Sequence, residues 1–442
     1  MSSESMSSEV AQICSDLIRF DTTNPGPGER PAAEHVAALL SDAGIEPVVF
    51  ESASRRTSVV ARIPGDSPEA LLIHGHLDVV PARPSDWRIH PFSGEVSGGC
   101  VWGRGAVDMK GTLAMTLALV RDWARRGVRP DRDVVLAFLA DEEATGEYGA
   151  RYAVRHHREL FDGCTDAISE SGGYSVEAPG ARIYPVAVGE RGTAWMRLTA
   201  TGVAGHGSRP PVDNAVAELC HAMSRIASHP WPVRLTPGVA ALIEDLSDIL
   251  GERIDLDRLE EEAARLGRIG DLFGAQIRNS ANPTMLQAGY KVNVVPGTAE
   301  GHVDGRFLPG YREEFLETID RLLGPRVTRE FVNVEDAPSA PMDSPFFDRL
   351  GAALVAEDPA ARPVPYVMSG GTDAKSFAGL GIRGYGFAPL MLTPDLDYFG
   401  MFHGVDERVP VEGLEFGVRV LNRLLTSRGS RASAAPAPAP AL

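Results

Sequence analysis

The stretch LLIHGHLDVVPA, residues 71 to 82, gathers two histidines and an aspartate within five residues at the end of an apolar run. Side chains alternate faces along a strand, so His74, His76 and Asp78 point the same way at its carboxyl end, where open α/β sheets place ligands. A lone histidine there is more often a core residue satisfied by a nearby acid. Three ionisable groups on one face favour a metal site. More acids follow. Asp108, in GRGAVDMKG, sits between a glycine-rich turn and a helix start, where a carboxylate is held at a fixed angle. Asp141, Glu142 and Glu143 come directly after the apolar run DVVLAFLA, Glu170 ends DAISESGG, and His403 follows the aromatic loop YFGMF. Three adjacent acids ordinarily make a solvated turn. Here they share the strand edge of His76. Two imidazoles and three or four carboxylates at the ends of different strands suit two divalent ions with N and O ligands and an open water position. Zinc, cobalt and manganese all accept that donor set. The phosphate-loop spacing and the G-x-S-x-G elbow are absent, so nucleotide and serine-hydrolase chemistry have no comparable support.

The elements that must position these groups read as a multidomain α/β protein. A chain of 442 residues is too long for one compact core. Its net charge of −17 speaks against a nucleic-acid partner, which needs clustered Lys and Arg. No apolar window is long enough to span a bilayer, and the N-terminus has no basic start followed by an apolar core, so a cytoplasmic protein with no membrane partner is the expectation. The four cysteines, Cys14, Cys100, Cys164 and Cys220, are far apart and read as buried thiols. Strand-like EPVVF, TSVVARI and ALLIHGHLDVV are followed by the helix MKGTLAMTLALVRDWARRG and the buried strand DVVLAFLA. From about residue 191 the order becomes strand, helix, strand, strand, helix, strand, the ferredoxin-like pattern of a small α+β domain. Residues 233 to 281 add helical stretches to it. The α/β character then returns. The expected division is a catalytic domain in two parts, 1–190 and 338–427, an inserted domain at 191–337, and a disordered Ala/Pro tail at 428–442.

In order along the chain, HGHLDVVP, GRGAVDMKG, DEEATGEYGA, SESGG, GHGSRP, NVVPG, DGR, SGGTDAKSF and FHGVDERV resemble the M20 family of dizinc metallopeptidases and amidohydrolases. That family includes carboxypeptidases, aminoacylases, acetylornithine deacetylases and succinyl-diaminopimelate desuccinylases. The resemblance runs from about residue 10 to 427. It implies a zinc-exopeptidase-like catalytic domain with an inserted ferredoxin-like lid, often used for dimerisation, so a homodimer through the lid is expected. It implies that His76 binds one zinc and His403 the other, that Asp108 bridges them, and that Glu143 completes one site and Glu170 the other. Glu142 would be the general base and acid, and Asp78 would orient the His76 ring. His206, in GHGSRP, would reach the active site from the lid, often of a partner subunit, to stabilise the oxyanion. Asn293 and Arg306 would hold the substrate, Arg306 by the bidentate fork a terminal carboxylate prefers. Gly371 and Thr372 would line the pocket. The Asp108–Met109 bond falls where relatives have a cis peptide, and His74 has no ligand counterpart.

A glutamate at the position of Glu170 goes, within that family, with carboxypeptidases and deacylases, whereas aminopeptidases usually have Asp there. The expected reaction is therefore hydrolysis of an N-acyl amino acid or of the C-terminal bond of a short peptide. A dipeptidase or aminopeptidase of the same fold is the alternative, which a small substrate panel separates. A non-catalytic binding protein is the distant one. It predicts the loss of a ligand or of the base, yet all six of His76, Asp108, Glu142, Glu143, Glu170 and His403 are present.

Overall fold

The computed structural model describes residues 3–209 and 213–427, with side chains from residue 9 onward. The expected tail at 428–442 lies outside the described residues. Contacts divide the chain into two compact units. The first holds the residues up to Ser175, Asp343–Pro363, and those from Phe387 on; the second holds Val176–Met342 and Val364–Gly386. The expected insertion at 191–337 falls inside the second unit, which also takes in the strand Ala181–Glu190 and the segment around Arg383–Gly386.

In the first unit, strands run in the order Pro47–Ala53, Arg56–Ile63, Asp133–Leu139, Ala70–His76, Cys164–Ser169. The last three are mutually parallel, and the edge hairpin is antiparallel, giving a mixed sheet. Parallel strands are covered on both faces, which is why ALLIHGH is buried along its whole length. Leu71 and Leu72 are fully buried, and each such side chain contributes roughly 1.5–3 kcal/mol relative to exposure. The helix Lys110–Arg126 begins two residues after Asp108, is buried almost throughout to Trp123, and packs against Ser3–Arg19 and Val411–Thr426. It ends at Gly127, whose φ of 64° is the left-handed cap that glycine adopts without Cβ strain.

In the second unit, four antiparallel strands lie in the order Ser280–Ala288, Thr298–Phe307, Gly192–Thr201, Val327–Glu335. Helices Ala215–Ala227 and Arg312–Leu323 bury Leu219, Phe315 and Ile319 against Met196, Leu198 and Phe307. Chain order and sheet order together are the ferredoxin-like arrangement expected from the sequence. Alternation explains the covered face: Ala194, Met196, Leu198 and Ala200 turn inward, while Arg197 and Thr201 are exposed.

The extension at 233 to 281 forms helices Pro237–Leu250, Leu259–Leu266 and Asp271–Gly274. The first buries Val239, Leu242, Ile243 and Leu246 and contacts Ala181–Glu190. Gly238 lies so close to Val367 and Val188 that a Cβ there would stand 3.0 and 3.1 Å from their methyls. None of these helices contributes a residue to the core of the four-stranded sheet.

Of the cysteines only Cys14 is buried; Cys100 and Cys164 are half-buried and Cys220 is exposed. The expectation of four buried thiols fails, at Cys220 because Leu219, Ala222, Met223 and Ile226 occupy the inner face of helix Ala215–Ala227 and turn it outward. Among the described residues no helix is long and apolar enough to cross a membrane.

Candidate dinuclear metal centre

Two groups of donors in the first unit share one carboxylate. His76, Asp108 and Glu170 form one set, and Asp108, Glu143 and His403 the other, with the donor atoms of each set within 4.8 Å of one another. Asp108 Oδ1 lies 3.1 Å from His76 Nε2, and its Oδ2 lies 3.2 Å from His403 Nε2. Glu170 Oε2 is 3.6 Å from His76 Nε2, and Glu143 Oε2 is 3.1 Å from His403 Nε2. Zinc held tetrahedrally at ~2.0–2.2 Å spaces its donors about 3.4 Å apart, so these separations suit an ion in each set. The charges fit as well. Asp108, Glu142, Glu143 and Glu170 bring four carboxylates to a site where His76, Asp108 and Glu170 are buried, and uncompensated buried charge is costly. Two divalent cations would neutralise them. Glu143 Oε1, moreover, is buried without a hydrogen-bond partner among the described residues.

Each donor is placed by local structure. His76 is the last residue of its strand, and Glu170 follows the neighbouring strand Cys164–Ser169. Asp108 precedes the helix Lys110–Arg126, across the Asp108–Met109 bond, which is cis. Glu142 and Glu143 sit in the loop after strand Asp133–Leu139, entered through Asp141, whose φ of 67° belongs to a region where aspartate is among the more tolerated residues. His403 is exposed, which leaves one side of the second set open to solvent.

The protonation pattern follows from this crowding. Hydrogen bonds to Asp108 and Glu143 push the His403 imidazole up to about 10. Burial works against a charged His76, but Glu170, Asp108 and Glu142 outweigh it and hold that ring well above its usual value. Asp108 is likewise buried, yet His403 and His76 keep it ionised, well below the ordinary carboxylate range. Burial, reinforced by Asp108, pushes Glu170 up to about 8. His74 is pushed down to about 3 by burial and by His76, so it stays neutral, in keeping with a structural reading.

Asp78 was expected to orient the His76 ring through its carboxylate. The carboxylate is 3.7 Å from Nδ1, whereas the main-chain carbonyl of Asp78 is only 2.9 Å away. The carboxylate instead accepts the backbone N–H groups of Glu142 and Glu143, each at 3.1 Å, and the Asn24 amide at 2.8 Å. Asn24 also donates to Asp141 Oδ1 at 3.0 Å and accepts from Arg56 at 2.6 Å. Asp78 thus fixes the Glu142–Glu143 loop, and Glu142 Oε2 comes 4.0 Å from His76 Nε2.

The remaining expected site residues belong to the second unit. Arg306 Nε and Nη2 grip Asp304 at 2.7 and 3.2 Å, while Nη1 donates to Thr193 at 3.2 Å. Thr372 donates through its N–H at 2.8 Å and its hydroxyl at 2.5 Å to the buried Glu190. Lys375 donates to the same Thr193 hydroxyl at 3.3 Å, and a Cβ on Gly371 would run into its Nζ. Arg306 and Lys375 therefore meet at Thr193, with Gly371 beside Lys375 and Thr372 on Glu190. His206 and Asn293 are elsewhere in the unit: the exposed strand Gly205–His206 pairs with the half-buried Val294–Val295, which Asn293 precedes. There Gly207 N–H donates to Asn293 O, and His206 Nδ1 lies 2.8 Å from Ser208 Oγ. Sequence reasoning passed over Asn24, Glu190, Lys375, Arg104 and Glu407. Their signal was adjacency alone: TTNPGPG, TDAKSF and the acid four residues after His403.

Residues 72–427 match the profile of Peptidase family M20/M25/M40. The N-fatty-acyl-amino acid synthase/hydrolase PM20D1 of Xenopus tropicalis is 28% identical over 80% of this chain and 71% of its own. Aminoacylase-1 of Sus scrofa is 27% identical over 93% of each chain. Among solved structures, the M20 family metallo-carboxypeptidase Sso-CP2 of Sulfolobus solfataricus superposes with a TM-score of 0.72 at 18% identity, covering 94% of this chain and 98% of its own. All five donors of the two sets lie within the matched span, and the chain belongs to peptidase family M20/M25/M40, as an enzyme that hydrolyses amide or peptide bonds.

Proposed function

We propose that this chain is a dinuclear metallohydrolase that removes the acyl group from an N-acyl amino acid or cleaves the C-terminal bond of a short peptide. The observation that carries the reading is the single Asp108 carboxylate with an imidazole on each oxygen and a second acid beside each imidazole. His76 and Glu170 would hold one ion with Asp108, and Glu143 and His403 the other. Zinc is the first choice, and cobalt and manganese suit the same donors. When bound, the ions act as Lewis acids on the scissile carbonyl and lower the pKa of water. Glu142, held by Asp78 beside the first set, takes the proton of the attacking water and returns it to the leaving nitrogen. His206 stabilises the developing oxyanion. Arg306 offers Nη1 to the substrate carboxylate while Asp304 fixes the other edge of its fork, and Asn293, Gly371 and Thr372 are the further substrate-binding residues. The names of the relatives, an aminoacylase and an N-fatty-acyl-amino acid hydrolase, support the acyl amino acid side of the reading.

The experiment is a panel of N-acetyl, N-succinyl and long-chain N-acyl amino acids with dipeptides, run on metal-quantified protein. Chelator-sensitive cleavage of one acyl class supports the reading. Two ions per chain with no cleavage of any member contradicts it.

Loading the ions must displace protons. In the metal-free protein His403, near 10, and His76, well above its usual value, carry protons at pH 7, and a ligated imidazole cannot. Metal affinity should therefore rise with pH through neutrality. Calorimetry in two buffers of different ionisation enthalpy should report at least one proton released per chain, and equal heats in both would contradict the assignment. Glu142→Gln should retain both ions and bind substrate while losing turnover; an unchanged rate removes it as the base. His206→Ala should keep both ions and lose ~10²–10³ in kcat, and near-normal turnover refutes its role. Mixing these two inactive variants reads out the origin of the histidine: recovered activity means that it comes from a partner copy, and none means that it acts within its own chain.

A further inference from the structure

The feature that the reaction leaves unexplained is a fully buried ion pair, Arg104 with Glu407, contributed by segments 303 residues apart. Neither residue is a donor in the metal sets. Such a pair is a poor source of stability, since desolvation offsets much of its attraction. What it holds is more informative.

Glu407 is 0% exposed and its carboxylate accepts four donors. Oε1 takes the N–H groups of Val107 at 2.7 Å and Asp108 at 3.0 Å; Oε2 takes Gly105 N–H at 3.0 Å and Arg104 Nη1 at 2.7 Å. Every one of those donors lies in the turn that ends at Asp108. Arg104, stacked over Trp87, turns its Nη2 the other way, toward the carbonyls of Gly404 at 2.9 Å and His403 at 3.4 Å. That loop turns through two left-handed residues: His403 has a φ of 57° and Asp406 one of 56°, values uncommon for residues with a Cβ, though His and Asp are among the more tolerant. A loop of this kind keeps its shape only where its surroundings fix it. The pair therefore joins the main chain of one ligand, Asp108, to the main chain of another, His403, whose side chains meet at 3.2 Å.

We propose that Arg104 and Glu407 are positioning residues for the metal centre: Arg104 sets the His403 side of the second donor set, and Glu407 sets Asp108, which both sets share. The inference rests on the dinuclear reading above. A guanidinium reaches Glu407 and the two loop carbonyls at once because its donors form a rigid fork, and a lysine at 104 could keep the charge on Glu407 but not both arms. Glutamine at 407 would turn an amide N–H₂ toward a row of N–H donors.

The test is cobalt(II) titration of the metal-free protein, followed by visible absorption, for wild type, Arg104→Lys and Glu407→Gln, with circular dichroism as the check on folding. Wild type should bind two ions. Arg104→Lys should weaken one of them by about 10- to 100-fold, the usual effect of losing a group that orients a ligand, and leave the other within about 3-fold. His403→Ala identifies the weakened ion, because it should abolish the same one. Glu407→Gln should weaken both. If Arg104→Lys binds both ions as wild type does, or loses both alike, the inference is overturned. So is the Glu407 half of it if Glu407→Gln binds both normally. Should Glu407→Gln fail to fold, Arg104→Lys, which keeps the ion pair, decides the question alone. Wild type binding fewer than two ions would strike the dinuclear reading itself, and this inference with it.

Discussion

The buried Asp108 carboxylate presents one oxygen to each of two imidazoles, one buried and one exposed, and the rest of the centre is arranged around that sharing. A buried carboxylate with two histidines and three further acids nearby is stable only if charge is balanced locally. In the metal-free protein, protons on the imidazoles supply that balance, which is why both rings are pushed toward the charged form. Cations would supply it better, with donors already spaced for them. Asymmetry follows from where the donors come from. His76 and Glu170 are fixed by adjacent parallel strands of a packed sheet, whereas His403 is exposed on a loop with two left-handed residues.

Hydrogen bonds to main-chain N–H groups do the positioning. Asp78 grips the amides of Glu142 and Glu143, Asn24 ties Asp78 to Asp141, and Glu407 grips the amides of Val107 and Asp108. Charge-assisted bonds of this type are stronger than neutral ones and fix geometry over several residues. They place carboxylates that would otherwise repel one another, and they do so through the main chain rather than through the donor oxygens.

Much of this was legible in the sequence. ALLIHGHLDVV and DVVLAFLA are apolar runs whose termini must emerge at one sheet edge, so the proximity of His76 to Glu142 and Glu143 follows from strand physics. The helical and strand periods of residues 191–337 likewise gave the ferredoxin-like order. What could not be read was long-range and local at once. Nothing in TTNPGPG says that its asparagine will lie between two aspartates, 54 and 117 residues away. The adjacency of Glu407 to His403 hinted at a role, but its partners in the 104–108 turn depend on a fold that closes 300 residues of chain. Asp78 is the instructive case: an acid two residues after His76 reads as one that orients the ring, while its carboxylate spends its bonds on a loop and its carbonyl faces the ring. The helices of 233–281 pack on the flank of Ala181–Glu190, a choice that their amphipathic pattern permits without specifying.

The claim on which everything else hangs is that Asp108 bridges two ions. Anomalous scattering at the zinc edge from crystals of the zinc-loaded protein tests it directly. The account predicts two peaks about 3.5–4 Å apart, one against His76 and Glu170, the other against Glu143 and His403, with one oxygen of Asp108 on each. A single peak, or two peaks that Asp108 does not join, would contradict it.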